Sequence, residues 1–384
     1  MYYRNADTEQ TRMLSMRSRA RPTFPHDTCC VVSGGTGWVG RHVVRFLIEQ
    51  GVERVCVVTR RGTTSECSCD KLNRLREFCD TSNRIELLEV DPSRLLVLPS
   101  DTEYVVHCAG AVQSLLESAI MEANLLFAWR MLAAASRLDR LRRYVHLSTL
   151  LMRGDSETPF SESSLDIGQH CVSAYTLSKF LAEVMIQKFP HSLPVTIVRL
   201  GAVLAPLHIS GAFNRDWLYW TLNLWQQGRL RAVPLTSEES FYPVPVDWAS
   251  QVIGSLLTAE QPPAVVHIPA EPGPPVNHVF SAAAKVAGRD PPDFYAQHST
   301  EWRCYHKSLP SEVRRIVSLC YPPPPAGSKL CAIDSSASRA WLARAGIVMP
   351  ELSESYWRRL AEETREDTSD TQDLCTEENS GSYD

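Results

Sequence analysis

Short apolar runs alternate with longer amphipathic stretches along roughly the first 200 residues of the chain. Cys29–Val32, Val55–Thr59, Ile85–Val90, Tyr104–His107, Tyr144–Leu147 and Val195–Val198 read as strands buried on both faces. Between them, Val39, Val43, Phe46 and Leu47 recur at helical spacing. Glu117–Leu138 and Val172–Phe189 predict two further helices. Strands alternating with helices predict an α/β fold with a doubly wound, Rossmann-like parallel sheet. The ligand of such a sheet lies beyond the carboxyl ends of its strands.

After Gly201 the alternation loosens, and a smaller C-terminal lobe with late sheet elements is expected. Phe213–Gln227 reads as a helix carrying Trp217, Tyr219, Trp220 and Trp225. A helix packed on the main domain and a substrate-pocket wall both satisfy that pattern. Helical stretches are predicted at 335–347 and at Tyr356–Leu360. The expected organisation is a disordered leader (1–27), a nucleotide-binding domain (28–200), a substrate-binding lobe (201–361) and an acidic disordered tail (362–384).

Charge changes this picture only at the far end. The chain carries a net charge of −5, yet its last 23 residues hold nine carboxylates against one arginine. The remainder is therefore mildly basic, and the acidity describes a tail. No basic block suggests nucleic-acid binding. No apolar run reaches the ~18 residues of a membrane span, and the leader lacks the apolar core of a secretory signal. Twelve cysteines occur without a CxxC pair. Cys67, Cys69 and Cys79 cluster without a histidine or fourth cysteine at ligand spacing, so no metal site is expected. Reduced thiols fit a cytoplasmic protein.

The candidate chemistry begins at VVSGGTGWVG, a strand running through glycines into a helix. Gly34 permits the tight turn, Gly37 lets a pyrophosphate approach, and Gly40 lets helix pack on strand. Thr36, Trp38 and Val39 complete the turn and bring free N–H groups to the phosphates. At the end of the second strand, where an acid would take a ribose 2′-hydroxyl, the chain reads Thr59–Arg60–Arg61. Guanidinium groups there favour a 2′-phosphate, hence NADPH; two solvated surface arginines are the plainer reading. Asp91, at another strand end, is placed to meet the adenine amino group. Tyr175 and Lys179 are four residues apart and share one helix face. Positive charge from Lys179 is expected to lower the phenol, whose ordinary pKa of ~10 makes it a poor proton donor or acceptor at neutral pH. Ser148 and Thr149 end a strand with hydroxyls facing the same site.

In this order GGTGWVG, TRR, HCAGAV, YVHLSTL, YTLSKFLAE and VTIVRLGAVL resemble an extended short-chain dehydrogenase/reductase. YPVPVDWASQVI and WLARAGIVMPELSESYWRRL narrow the resemblance to the thioester reductase domains of nonribosomal peptide and polyketide assembly lines, relatives of fatty acyl reductases. The resemblance covers about residues 28–361. It implies Thr149, Tyr175 and Lys179 as catalytic hydroxyl, acid and amine. Gly34, Gly37, Gly40, Arg60, Asp91 and Ala109 become cofactor contacts, and Asn124 the support of a proton relay, although ordinary helix polarity explains Asn124 as well. Cys108 and Ala174 depart from the residues common in relatives. The implied reaction is NADPH-dependent reduction of an acyl thioester to an aldehyde, with a second hydride able to give an alcohol. The leader is too short for a carrier domain, so the acyl group is expected on a separate acyl carrier protein or coenzyme A. A carbonyl reductase, a sugar-nucleotide epimerase or dehydratase, and a non-catalytic NADPH-binding regulator are the competing readings.

Overall fold

The computed structural model describes residues 22–60, 68–81, 83–91, 94–112, 116–156, 158–190, 192–207, 216–269, 271–321 and 332–366. The expected leader and tail fall almost wholly outside these residues. Six apolar runs form β1 (Cys29–Ser33), β2 (Arg54–Arg60), β3 (Ile85–Val90), β4 (Thr102–His107), β5 (Arg143–Thr149) and β6 (Val195–Leu200). A later strand, β7 (Val265–Ile268), joins them at the edge beside β6. The sheet runs in the order β7-β6-β5-β4-β1-β2-β3, every pair parallel. Strand order reverses between β1 and β4, so the crevice at their carboxyl ends is where a doubly wound sheet takes its ligand.

The helices are α1 (Trp38–Glu49), α2 (Ser68–Phe78), α3 (Glu117–Met121), α4 (Phe127–Ala135), α5 (Ala174–Gln187) and α6 (Trp217–Gln226). Then come α7 (Val246–Thr258), α8 (Val276–Ala287), α9 (Thr300–Ser308), α10 (Ser311–Cys320), α11 (Ser336–Arg344) and α12 (Glu354–Glu366). Because side chains alternate along a strand, β1 sends Cys30 and Val32 to one face and Val31 to the other. The first face packs on α1, α7 and α11. The second packs on Met131 and Leu132 of α4, with Met185 and Ile186 of α5 against it. α1 and α7 approach so closely that a Cβ on Gly254 would lie 2.2 Å from Phe46 Cε1.

Two expected helices are revised. The long helix from Glu117 is interrupted by a π-helical turn, Glu122–Leu126, between α3 and α4. The tryptophan-rich helix starts at Trp217 because the Asp216 carboxylate caps it, accepting the Tyr219 N–H at 2.9 Å. Tyr219, Trp220 and Trp225 are buried in a second apolar core that α6 forms with α8, α10 and α12. These three are buried against the later lobe's own helices and not on the main domain as expected, while Trp217 is partly buried against Phe241 and Tyr321.

The helix bearing the YxxxK pair is fixed at both ends. Ser173 caps α5 by accepting the Thr176 N–H, and Thr176 returns the bond, so the helix begins at Ala174. Further along, Glu183 is fully buried against Arg199 of β6, Nη2 to Oε2 at 2.7 Å and Nε to both carboxylate oxygens at 3.1 Å. The spare guanidinium protons go to the Ser161 and Ser164 carbonyls, and the group lies over the Phe160 ring at 4.4 Å. A buried ion pair persists only when its remaining donors are satisfied in this way. Among the described residues no helix is long and apolar enough to cross a membrane, and the cysteines there are free thiols.

Candidate active site

The glycine turn stands at the carboxyl end of β1, beside the reversal of strand order. Gly34 has φ +67°, and a Cβ there would lie 2.7 Å from the Ala109 backbone. Gly34 and Ala109 thus bring the ends of β1 and β4 together. At Gly40 a Cβ would lie 1.9 Å from the Gly34 carbonyl oxygen, so α1 abuts the turn only because that residue is glycine. Thr36 occupies the turn itself, Gly37 is the N-cap of α1, and Val39 packs on the core.

No side chain caps α1, as is also true of α3, α4, α7, α8, α10 and α11. The first N–H groups of α1, from Trp38 onward, therefore point at the crevice without a capping acceptor. An uncapped helix end and a turn stripped of side chains fit the pyrophosphate of a dinucleotide.

Arg60 ends β2, but its side chain and the whole of Arg61 lie outside the described residues, as do Cys67 and the side chain of Cys69. Asp91 follows β3; its carboxylate lies 3.5 Å from Arg94 Nε, and its carbonyl accepts from Arg130 Nη2 at 3.0 Å.

On the opposite side of the crevice, Thr149, Tyr175 and Lys179 converge. Thr149 closes β5 and accepts the Leu151 N–H at 3.1 Å, which leaves its hydroxyl proton available to donate. Ser148 is turned away, its Oγ 3.6 Å from Met152 Sδ. Burial pushes the Tyr175 phenol above its ordinary value, and a hydrogen bond with the Thr149 hydroxyl pulls it back. The sequence spacing assigned that pull to Lys179. In the structure Lys179 instead donates to the Leu147 carbonyl at 3.0 Å. Burial lowers the Lys179 amine to about 8, against the opposing pull of Cys108 and Glu183. The Cys108 thiol is itself pushed up to about 12 by burial, which leaves it protonated at neutral pH.

Asn124 sits in the π-helical turn and is fully committed. Its Oδ1 accepts the Ala111 N–H at 2.7 Å, and its Nδ2 donates to the Ala111 carbonyl at 2.8 Å and to Ser178 Oγ at 2.9 Å. It staples the loop after β4 to α5. Two contributors went unread in the sequence. Ser178, between Tyr175 and Lys179 on α5, accepts this bond and donates its own hydroxyl proton to the Tyr175 carbonyl at 2.7 Å. Gly110 matters by its emptiness: a Cβ there would lie 2.8 Å from Asn124 Oδ1 and 3.1 Å from Lys179 Nζ. The glycine in HCAGAV was a visible signal for it.

The NAD dependent epimerase/dehydratase family matches residues 30–229. The chain belongs to this family. Its members are extended short-chain dehydrogenases/reductases that bind NAD(P). Among curated relatives, the polyketide synthase GfsA of Streptomyces halstedii is 26% identical over 269 residues, 63% of this chain. That match is only 3% of the synthase's own length.

Among solved structures, the thiolation-reductase di-domain of an archaeal non-ribosomal peptide synthetase superposes with a TM-score of 0.70 at 20% identity. The match covers 88% of this chain and 75% of the di-domain. The terminal R domain of the myxalamid PKS-NRPS pathway gives 0.69 at 19%, covering 89% and 91%. The UDP-glucuronic acid 4-epimerase of Bacillus cereus, complexed with NAD, gives 0.61 at 14%, covering 88% and 99%. At these identities the likeness is one of fold. This family member shares its architecture with reductase domains and with epimerases.

Proposed function

We propose that the protein is an NADPH-dependent reductase that converts an acyl thioester, carried on an acyl carrier protein or coenzyme A, to an aldehyde. The observation that carries this reading is the convergence of Thr149, Tyr175 and Lys179 across the crevice from an uncapped, glycine-lined helix end. The architectural likeness to assembly-line reductase domains supports a thioester as the substrate in this reading.

In this reading the glycine turn and the first N–H groups of α1 hold the pyrophosphate, Ala109 and Asp91 bound the nucleotide, and Arg60 and Arg61 face the 2′-phosphate. NADPH, when bound, supplies the hydride. Lys179, anchored on the Leu147 carbonyl, has two further protons for the ribose hydroxyls. Thr149 and Tyr175 donate hydrogen bonds to the thioester oxygen as charge gathers there. Tyr175 then gives up its proton to that oxygen. In the collapse of the resulting hemithioacetal Tyr175 recovers the hydroxyl proton while the C–S bond breaks, and the departing thiolate is protonated by solvent. One proton is consumed overall.

The test is cofactor oxidation against a panel of acyl-coenzyme A, acyl-carrier, aldehyde, ketone and UDP-sugar substrates. NADPH consumption with stoichiometric release of thiol is expected on a thioester. Turnover of a UDP-sugar by protein that purifies with tightly held NAD would replace this reading with the epimerase one.

A further inference from the structure

α1 carries a cation that no carboxylate among the described residues neutralises. Arg41 follows Gly40 directly, and its guanidinium lies against the ring of Trp38 at 4.7 Å and that of Phe78 at 5.2 Å. It is partly buried, and its Nε is enclosed without a hydrogen-bond partner. Among the described residues no carboxylate pairs with it. Arg45, one turn on, shares the Phe78 ring at 5.3 Å but is held by Glu49 at 3.0 Å. His42 lies between them with its Nε2 also enclosed and unpartnered. Burial and the two guanidiniums lower that imidazole to about 3, so it stays neutral and offers no counter-charge. Burying a guanidinium in this way costs stability unless something anionic arrives.

The place of Arg41 indicates what arrives. Helical side chains tilt toward the N-terminus, and Arg41 lies against the ring of Trp38, the first residue of α1. On the neighbouring side, the Gly34 N–H reaches the Val58 carbonyl at 3.4 Å, and a Cβ on Gly35 would touch Val57 at 2.8 Å. The turn thus leans on β2, whose last residue is Arg60. Arg41 on α1 and the carboxyl end of β2 thus both adjoin the turn.

We infer that Arg41, stacked on Trp38, is a specificity-determining residue that binds the 2′-phosphate of the dinucleotide from the helix side. The stack holds the planar fork in one orientation before the ligand enters, so less freedom is lost on binding. The inference rests on the NADPH reading above and adds a residue that the strand-end arginines do not include.

Calorimetric titration with 2′,5′-ADP and with 5′-AMP tests it without recourse to turnover. The wild-type protein should prefer 2′,5′-ADP. Arg41→Ala should weaken 2′,5′-ADP by roughly 10- to 100-fold, the worth of a charge-assisted contact, and leave 5′-AMP within about twofold. Arg41→Lys keeps the charge and most of the packing and should fall between the two; it also serves if the alanine variant does not fold. Equal weakening of both ligands would place Arg41 on the shared phosphate and overturn the assignment. A loss of melting temperature with ligand discrimination intact would reduce it to packing and overturn it equally. If the wild-type protein binds both ligands alike, the NADPH reading itself fails, and this inference with it.

Discussion

Tyr175→Phe is expected to lower turnover by at least about two orders of magnitude while leaving the fold and NADPH affinity nearly unchanged. The ring keeps its packing; only the hydroxyl goes. No neighbour can replace it. Thr149 can donate one hydrogen bond while it accepts the Leu151 N–H, but an aliphatic hydroxyl does not ionise near neutral pH. Cys108 is held protonated by burial, and Lys179 is anchored at the Leu147 carbonyl with its remaining protons assigned to the ribose rather than to the thioester oxygen. General acid catalysis and oxyanion stabilisation are each worth about 10²–10⁴ in rate. Lys179→Ala should behave differently, raising the Michaelis constant for NADPH as well as lowering turnover. Steady-state kinetics on both variants, with melting temperatures as the check on folding, separate a proton donor from a structural helix face. A folded Tyr175→Phe protein that turns over normally would remove the mechanism.

The phenol's high value in the structure sharpens this expectation. A buried, protonated tyrosine is a donor waiting for an acceptor. A nearby positive charge would lower the phenol and ease the transfer of its proton to the developing oxyanion. Spacing alone could not foretell the division of labour in which Thr149 steadies the phenol and Lys179 ties α5 to β5. YxxxK fixes only that two side chains share a helix face.

What was legible in the sequence is what local physics enforces. VVSGGTGWVG reads as strand, turn and helix because Gly34 and Gly40 face backbone at distances no side chain survives. Most of the early strands stand out because a parallel sheet buries both faces and makes a central strand an apolar run, whereas β3, at the edge, leaves Glu86 and Glu89 exposed. Whatever depends on contacts between distant segments stayed hidden. The π-helical turn at Glu122–Leu126 leaves the apolar periodicity of its helix almost intact, so the staple Asn124 makes to Ala111 and Ser178 had no signature. Arg41 looked like any solvated arginine on a helix, because its partner ring Phe78 belongs to α2 and lies 37 positions away. A late sheet element was expected, but its place at the edge beside β6, across the intervening helices, had no local signal. Glu183 and Arg199 sit on different elements, and only the tertiary fold closes the pair.

The same buried polar groups predict an acid-labile protein. His42, His107, His146 and His267 are nearly or fully buried. Desolvation, the leading cause in each, lowers His42, His107 and His267 to about 3 and holds His146 well below its ordinary value. Nearby cations add to it: Lys179 beside His107 and His146, Arg199 beside His267, Arg41 and Arg45 beside His42. In the unfolded chain each titrates near ~6.5. As pH falls below that value the unfolded state binds protons the native state refuses, so stability present above pH ~6.5 is lost on acidification. Between pH 7.5 and 5.5 each histidine withdraws roughly 1.4 kcal/mol, or about 5–6 kcal/mol for four. Asp216 acts the other way. Burial raises it to about 7, so the folded state holds a proton that the unfolded chain releases, and acidification over the same range returns about 2 kcal/mol. The net loss is about 3–4 kcal/mol, a large share of the ~5–15 kcal/mol typical of a folded domain. Urea denaturation at pH 7.5, 6.5 and 5.5 should show midpoints falling steeply over that interval. His146→Leu should flatten the slope by about a third of its net value and cost little at pH 7.5, since both ring nitrogens it removes are buried without partners. A midpoint that stays constant from pH 7.5 to 5.5 would mean that these histidines are solvated and titrate in the native state.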